Sequence, residues 1–252
     1  DEQDILLAMA LCNSVVPAVV QGERIYQSSS PDETALVMGA RDAGYELLAR
    51  SMEDCVVEVR GYPVRFETLA VNEFTSERRC MSVVVRLPDG TIRLYAKGAD
   101  EAVFPLARDG TAEARRYANL FAERGLRTLV IARRDLSEAE YAAWAAESWT
   151  PARLAAEDRR GRLEEAARLV ERDLSVVGTT GIEDRLQRDV PATIESLMEA
   201  NICLWVLTGD KARTAINIAE TCRLIRPEFR VCRIEGNTPA DLERVPELLR
   251  EG

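Results

Sequence analysis

Residues 72–100 read NEFTSERRCMSVVVRLPDGTIRLYAKGAD and predict a β-hairpin. Residues 81–87 are rich in β-branched side chains, and residues 91–96 alternate apolar and polar ones. Pro88-Asp89-Gly90 supplies the turn, because proline fixes φ at the first turn position and glycine accepts a positive φ. An antiparallel pair brings its outer ends together, so Lys97 is expected beside the residues that lead into the first strand. The hairpin therefore predicts a sheet end that carries an aromatic ring, a hydroxyl and several cations.

Composition excludes several classes of function. The 252 residues carry a formal net charge of −10, and a phosphate backbone needs a basic face, so nucleic acid is not expected as a partner. The chain has no histidine, which excludes His-based triads and His-ligated metal sites, and no residue is assigned as a metal ligand. Six cysteines without CxxC spacing suggest reduced thiols. The longest apolar run, residues 5–12, is far below the ~20 residues of a membrane helix, so the expectation is a soluble chain.

Short strands with tight turns dominate the first part of the chain, which predicts a mainly antiparallel sheet. The predicted strands are 22–27, 45–48, 56–60, 63–71, 81–87, 91–96 and 127–133. The predicted helices are 31–43, 101–106, 111–123, 137–147 and 154–173, after a first apolar helix that ends at Pro17. We therefore expect a first domain of class α+β, over residues 1–174.

After Leu174 the pattern changes to strand, helix, strand, helix, with apolar strands at 174–179 and 202–207. This order is typical of parallel α/β structure, and two strands alone cannot complete a doubly wound sheet. The sequence therefore predicts an incomplete parallel α/β domain over residues 175–252, with helices at 190–200 and 211–222.

Candidate binding residues follow or precede the predicted strands of the first domain. Phe74 is an aromatic candidate for stacking on a purine, because its neighbours are polar and a core position is less expected. Lys97 places an ammonium beside a glycine that allows close approach of a ligand. Glu33 also fits a capping box, and both roles can coexist. The candidates are Glu33, Phe74, Ser76, Arg79, Lys97, Gly98, Arg127 and Thr128.

In the second domain, Thr208-Gly209-Asp210 follows an apolar strand and directly precedes a helix. Ligands of α/β sheets bind at the carboxyl ends of strands, and helix N-termini favour phosphate. An ordinary Thr/Asp helix cap with a turn glycine explains the same pattern about equally well. Asp184 closes a second polar loop, after the strand predicted at 174–179. This loop alone is a weak signal, but it supports Asp184 as a site residue because both loops would emerge at one sheet edge, beside Thr208-Gly209-Asp210.

Taken together, these segments resemble the P-type ATPases, and specifically their phospholipid-translocating (flippase) class. KGA and TGD are typical of P-type ATPases in general, whereas SPDE, FTS…MSV and IED…LQ are typical of the lipid class. The matching stretches occur in family order and are 26–33 (YQSSSPDE), 73–76 (EFTS), 81–83 (MSV), 97–100 (KGAD), 125–128 (GLRT), 182–187 (IEDRLQ) and 205–211 (WVLTGDK).

The resemblance implies a nucleotide-binding domain over residues 1–174, and over residues 175–252 part of a phosphorylation domain of the haloacid-dehalogenase-like type. Phe74 would stack on adenine, the other candidates of the first domain would surround ATP, and Thr208, Gly209, Asp210 and Asp184 would lie near the phosphates. Mg²⁺ would neutralise charge during phosphoryl transfer. The catalytic aspartate lies in an Asp-Lys-Thr-Gly-Thr motif that this chain lacks, so no catalytic residue is assigned.

The resemblance further implies that this chain is the cytosolic domain of an integral membrane enzyme. That enzyme would move a phospholipid across the bilayer through membrane segments outside this sequence, with room for an accessory subunit. Two alternatives stay open. One is a regulatory or binding module that kept the fold and lost the nucleotide. The other is a cation-transporting P-type ATPase, which the lipid-class motifs disfavour.

We expect the 252-residue chain to bind ATP without sustained hydrolysis, because the motif of the phosphorylated aspartate is absent from the sequence. Calorimetry measures binding, and a coupled assay measures phosphate release against Mg-ATP in buffer alone. Phosphate release that persists and scales with protein concentration would contradict this expectation.

Overall fold

The computed structural model describes residues 2–183, 186, 188–208 and 212–231. The chain divides into two compact units, Asp1–Glu183 and Asp184–Gly252.

The first unit combines seven described helices with ten strands. The helices are α1 (Glu2–Leu11), α2 (Pro31–Asp42), α3 (Asp100–Val103), α4 (Thr111–Glu123), α5 (Glu138–Trp144), α6 (Thr150–Leu154) and α7 (Arg159–Val170). The strands are β1 (Val16–Val20), β2 (Glu23–Gln27), β3 (Tyr45–Arg50), β4 (Asp54–Val59), β5 (Tyr62–Asn72), β6 (Cys80–Arg86), β7 (Ile92–Gly98), β8 (Ala107–Asp109), β9 (Arg127–Leu136) and β10 (Leu174–Ile182). A short 3₁₀ turn, Phe104–Leu106, follows α3, and a π-helical turn, Ala145–Trp149, joins α5 to α6.

Eight of the strands form one sheet in the order β3-β4-β5-β6-β7-β9-β10-β8, and only the β10–β8 pair is parallel. The predicted hairpin is confirmed, since β6 and β7 pair from Cys80↔Gly98 to Arg86↔Ile92. In its turn, the Asp89 carboxylate accepts a hydrogen bond of 2.9 Å from the backbone of Thr91. The coarse prediction of an α+β fold with a mainly antiparallel sheet is therefore correct.

Helices cover both faces of the sheet, which explains the unbroken apolar run of β6. Val83 and Val85 belong to a buried cluster with residues of α1 and α2. Val84 belongs to a second cluster, on the opposite face, with residues of α5 and α7. Because side chains alternate along a strand, burial on both sides requires apolar residues at successive positions. The central hairpin therefore lies in the middle layer of three.

Two boundaries in the first unit differ from the predictions. The first helix ends at Leu11, and Pro17 lies in β1, which pairs only with β2. An edge strand tolerates proline, because one side of the strand has no partner and the missing N–H there costs no hydrogen bond of the sheet. The long helix predicted at 154–173 is interrupted before α7, where Asp158 adopts a positive φ of 47°.

Strand β10 was expected in the second domain, and this placement is wrong. β10 pairs antiparallel with β9, from Ser175↔Arg133 to Ile182↔Arg127, and so belongs to the large sheet. Its buried side chains Leu174 and Val176 join the cluster on the α7 face. Apolar residues that looked like the start of a parallel unit thus complete the antiparallel one.

The second unit contains helices α8 (Val190–Glu199) and α9 (Ala212–Thr221) among its described residues. The strand predicted at 202–207 is not formed, and Trp205 and Leu207 are 86% and 93% exposed. A parallel strand depends on hydrogen bonds to neighbouring strands, and the described residues of this unit contain no strand that could supply them. The haloacid-dehalogenase-like architecture is therefore not confirmed.

Two further observations concern the described part of the whole chain. All five of its cysteines are free, and only Cys203 is exposed. A search for membrane spans among these residues yields no helix of sufficient length and hydrophobicity.

Gly98 ends β7 where it meets the chain entering β6, and we expect Gly98→Ala to destabilise the protein. A β-carbon there would lie 2.5 Å from the Arg79 carbonyl oxygen and 2.9 Å from the Cys80 α-carbon. Backbone atoms cannot move aside cheaply, so the free energy of unfolding should fall by about 1–3 kcal/mol. Urea unfolding followed by circular dichroism measures the change.

Gly39→Ala in α2 is the matched control. Its new β-carbon would meet only the flexible end of Met9, at 3.1 Å, and alanine favours a helix. Equal stability losses for the two variants would show that the backbone contact at Gly98 is not the cause.

Candidate functional site

One end of the large sheet collects all of the candidate residues of the first unit. The antiparallel register brings the end of β5, the start of β6, the end of β7 and the start of β9 to the same side. Helix α2 begins at this end as well, since its first turn contacts β7 and β9. The residues gathered there are Glu33 of α2, Phe74, Ser76 and Arg79 of the loop 73–79, Lys97 and Gly98 of β7, and Arg127 and Thr128 of β9.

A buried ion pair lies at the centre of this end. Lys97 Nζ donates to Glu33 Oε1 at 2.7 Å, and the two side chains are only 8% and 11% exposed. The other oxygen of Glu33 accepts from the Ser14 backbone N–H at 2.8 Å and from the Ser14 hydroxyl at 2.5 Å. The carboxylate is therefore bonded through both of its oxygens, as a buried charge requires.

The ionisation of Glu33 follows from these contacts. Burial is the largest single influence and raises the pKa of the Glu33 carboxyl. The charge of Lys97 and the hydrogen bonds from Lys97 and Ser14 act in the opposite direction, and together they lower the pKa below its ordinary value. Glu33 is thus held as a carboxylate at neutral pH, and Lys97 faces a full negative charge.

The capping role predicted for this helix start is also present. The Ser30 hydroxyl accepts a hydrogen bond of 3.4 Å from the backbone N–H of Glu33, and Pro31 occupies the first helical position. Glu33 therefore serves the cap through its backbone and the ion pair through its side chain, and its expected role at a ligand stays a prediction.

The two arginines at this sheet end are paired but accessible. Arg127 contacts Asp32 at 3.2 Å, and Arg79 contacts Glu101 at 2.7 Å. Their side chains are 40% and 55% exposed, so solvent screens both pairs.

Phe74 projects from the loop 73–79 and is 59% exposed, so it is no core residue. The loop bends back to the hairpin, since the Arg79 carbonyl accepts a hydrogen bond of 3.0 Å from Ala99. Arg78 anchors it from behind, through an ion pair with Glu171 and a hydrogen bond of 2.8 Å to the Glu73 carbonyl. An exposed aromatic ring on an anchored loop is a surface available for stacking.

The remaining candidates belong to the second unit. Thr208 is exposed there, and the strand expected to lead into it is not formed. Gly209, Asp210 and Asp184 lie outside the described residues.

Several residues that complete the site were missed by the sequence patterns. They are Ser14, Asp32, Glu101 and Glu171. Asp32 adjoins a predicted site residue, so proximity could have suggested it. Glu171 lies 93 residues from Arg78, and no local pattern marks it as a partner.

Comparison with known proteins identifies the family. The model of the family described as P-type ATPase, cytoplasmic domain N, matches residues 2–113. The chain belongs to the P-type ATPases. Phospholipid-transporting ATPase DNF1 of Chaetomium thermophilum is 45% identical over 243 residues, which cover 93% of this chain and 16% of that protein. Phospholipid-transporting ATPase DRS2 of Saccharomyces cerevisiae is 41% identical over 251 residues, or 96% of this chain and 18% of that protein.

A third relative, phospholipid-transporting ATPase C887.12 of Schizosaccharomyces pombe, is 45% identical over 238 residues, 92% of this chain and 19% of that protein. This P-type ATPase chain thus spans less than a fifth of the length of these curated relatives. The large antiparallel sheet flanked by helices agrees with a cytoplasmic N domain of the family.

The buried ion pair predicts a pH-dependent loss of stability for Glu33→Gln. The variant leaves the Lys97 ammonium buried without a counter-charge, which should cost about 3 kcal/mol at pH 7. The folded pKa of Glu33 is below its unfolded value, so the pair stabilises the protein above pH ~4.3 and loses this effect as the pH falls through the folded pKa. The stability difference between the two proteins should be constant at pH 6–8 and shrink below pH ~4.

Urea unfolding across this pH range checks the prediction, with Asp32→Asn as the matched control. Its solvent-screened pair with Arg127 should contribute less than about 1 kcal/mol. A Glu33→Gln difference that stays constant down to pH 3 would contradict the role given to the carboxylate.

Proposed function

We propose that this chain is the ATP-binding cytosolic part of a phospholipid-translocating P-type ATPase. The observation that carries the proposal is the exposed ring of Phe74 at the same sheet end as Lys97, Arg79 and Arg127. Family membership favours ATP as the ligand, and the arrangement of the side chains offers the contacts that would bind it.

The adenine would stack on Phe74. More than half of this side chain is exposed, and stacking on an aromatic ring is worth about 1–3 kcal/mol per base. The anchors of the loop reduce the entropy lost on binding, because the ring is already held at the sheet end. Ser76, next in the same loop and exposed, would offer a hydroxyl at the rim.

The phosphates would interact with the cations of the sheet end. Arg79 and Arg127 are accessible, and a phosphate would compete with the carboxylates of Glu101 and Asp32 for their guanidinium groups. Lys97 is buried against Glu33, so the pair as a whole carries no net charge. Its ammonium would therefore attract a phosphate only at close range. Gly98 packs against the Arg79 carbonyl, so the close approach expected there is made by the protein's own backbone, and Thr128 would contribute a hydroxyl from β9.

Magnesium would arrive with the nucleotide. No cluster of three or more metal-ligating side chains occurs in the part of the chain that the structure describes. Mg²⁺ binds ATP through phosphate oxygens and keeps several waters, so it needs few protein ligands. When bound, it would neutralise phosphate charge during transfer.

The two units receive different roles in this proposal. Residues up to 183 would form the nucleotide-binding domain, because β10 completes its sheet and extends it beyond the expected end at residue 174. The residues from 184 would be part of the phosphorylation domain, with Thr208, Gly209, Asp210 and Asp184 near the phosphates.

In the full-length protein, ATP bound here would phosphorylate an aspartate outside this chain and drive a phospholipid across the bilayer. This places the chain on the cytosolic side of an integral membrane protein, to which an accessory subunit could attach. The names of the relatives favour a lipid over the cation of the alternative interpretation.

The test is the effect of Phe74→Ala on ATP affinity. Loss of stacking should weaken binding by about tenfold to a hundredfold, which corresponds to the energy of one stacked base. Calorimetric titration of the purified chain with Mg-ATP measures the change, and Phe74→Tyr should retain most of the affinity because it keeps the ring.

Tyr62→Ala is the matched control, since Tyr62 is a 76% exposed aromatic residue at the opposite end of β5. No measurable ATP binding by the wild type would favour the nucleotide-free module instead. Equal affinity of Phe74→Ala and the wild type would refute the stacking role.

A further inference from the structure

Arg78 bonds to the backbone and side chain on both sides of Phe74. Its guanidinium donates to the Glu73 carbonyl at 2.8 Å, and its backbone N–H donates to the Thr75 hydroxyl at 3.2 Å. These two acceptors belong to the residues directly before and directly after Phe74. The direction in which the aromatic ring projects therefore depends on where Arg78 lies.

The turn that follows gives the loop a defined shape. The Arg79 backbone N–H donates to the Thr75 carbonyl at 2.8 Å, and Arg79 adopts a positive φ of 49°. A residue with a β-carbon rarely adopts this conformation, and it persists only where the surrounding contacts impose it. The loop is thus constrained along its length, although Phe74 itself is largely exposed.

Glu171 holds Arg78 in place from a distant part of the chain. Its carboxylate pairs with the Arg78 guanidinium, and the two side chains are 3% and 8% exposed. The same carboxylate oxygen accepts a hydrogen bond of 2.6 Å from the Ser82 hydroxyl, which in turn accepts from the Asn72 amide at 2.8 Å. Asn72 and Ser82 are opposite each other on β5 and β6. Glu171 is therefore fixed against the sheet as well as against the loop.

The burial of this pair distinguishes it from the other contact between α7 and the loop. Arg160 of α7 pairs with Glu77, but these side chains are 66% and 64% exposed, and such pairs contribute little. A buried guanidinium without a counter-charge is strongly unfavourable, so Arg78 cannot leave Glu171 without a large loss of stability. The residue that determines the position of Arg78 is therefore Glu171, which caps the C-terminal end of α7.

We propose that Glu171 is a positioning residue for the adenine ring of ATP. The inference rests on the proposed function, because it requires that the adenine stacks on Phe74. Glu171 is buried and would not touch the nucleotide; it would act through Arg78 on the backbone that carries the ring. A ring already held in the stacking position loses less conformational freedom when the base binds, so the affinity for ATP is higher.

The test is whether Glu171→Gln weakens ATP binding only when Phe74 is present. Gln keeps the shape of Glu171 but removes the charge that holds Arg78. We expect this variant to bind Mg-ATP about fivefold less tightly or worse, and no more weakly than Phe74→Ala. In the Phe74→Ala background the same change should alter the dissociation constant less than twofold, because no ring is left to position. A titration followed in the ¹H–¹⁵N spectrum of the 252-residue chain measures these constants even in the millimolar range.

Arg78→Lys is the second variant, in case Glu171→Gln does not fold. Lysine keeps the charge opposite Glu171, but its ammonium lacks the planar fork that serves Glu171 and the Glu73 carbonyl with separate N–H groups. It should weaken ATP binding in the same direction. The ¹⁵N order parameters of residues 73–77 give a readout without nucleotide: they should be near the rigid value of about 0.85 in the wild type and fall in both variants.

Asp4→Asn is the matched control, since it also converts a poorly exposed carboxylate into an amide. Asp4 lies in α1 and accepts from Arg93 at 2.8 Å and from Tyr95 at 3.1 Å, away from the loop 73–79. We expect it to lower the stability of the protein in urea while the dissociation constant for ATP stays within twofold of the wild type. A loss of affinity equal to that of Glu171→Gln would show that general destabilisation is the cause.

The outcomes separate this inference from the proposed function. Wild-type affinity in both Glu171→Gln and Arg78→Lys, beside weakened binding by Phe74→Ala, would refute the positioning role and leave the proposed function intact. An equal loss with and without the Phe74 ring would show that Glu171 acts by another route. No ATP binding by the wild type, or equal affinity of Phe74→Ala and the wild type, would refute the stacking of adenine and this inference with it.

Discussion

The buried ion pair between Lys97 and Glu33 is the interaction on which this sheet end depends. It joins the centre of the sheet to the first turn of α2, and both charges are almost removed from water. A charge in such a position is tolerated only with a partner and further hydrogen bonds, which Ser14 provides. The position of α2 is thereby coupled to the ammonium of β7. The helix start, the hairpin end and the chain after α1 thus form one polar unit inside an apolar layer.

A second polar system supports the loop 73–79 on the other face of the sheet. Arg78, Glu171, Ser82 and Asn72 form a continuous buried network from the loop to the end of α7. Such networks strengthen one conformation, because every alternative leaves a buried charge unpaired. Phe74 can therefore be exposed without being loosely held. The ion pair and hydrogen bonds of this network stabilise the loop that carries Phe74, without involving the Phe74 ring itself.

Local patterns were sufficient to predict the hairpin, because the turn residues and the apolar run lie within one short stretch. They also predicted most of the residues at the sheet end, since antiparallel pairing brings strand ends together. They could not predict that β10 pairs with β9, because that choice depends on contacts between residues 42–55 positions apart, from Ser175↔Arg133 to Ile182↔Arg127. The same limit hid the Arg78–Glu171 pair. At 202–207 an apolar composition predicted a strand, yet composition alone supplies no neighbouring strand to bond with.

The register of β10 has a consequence for the mechanics of the chain. Its last paired residue, Ile182, lies opposite Arg127, at the sheet end that also carries Lys97. The polypeptide therefore leaves the first unit from the rim of the candidate nucleotide site itself. A ligand that changes the position of the start of β9 would therefore also act on Ile182, where the chain leaves the first unit.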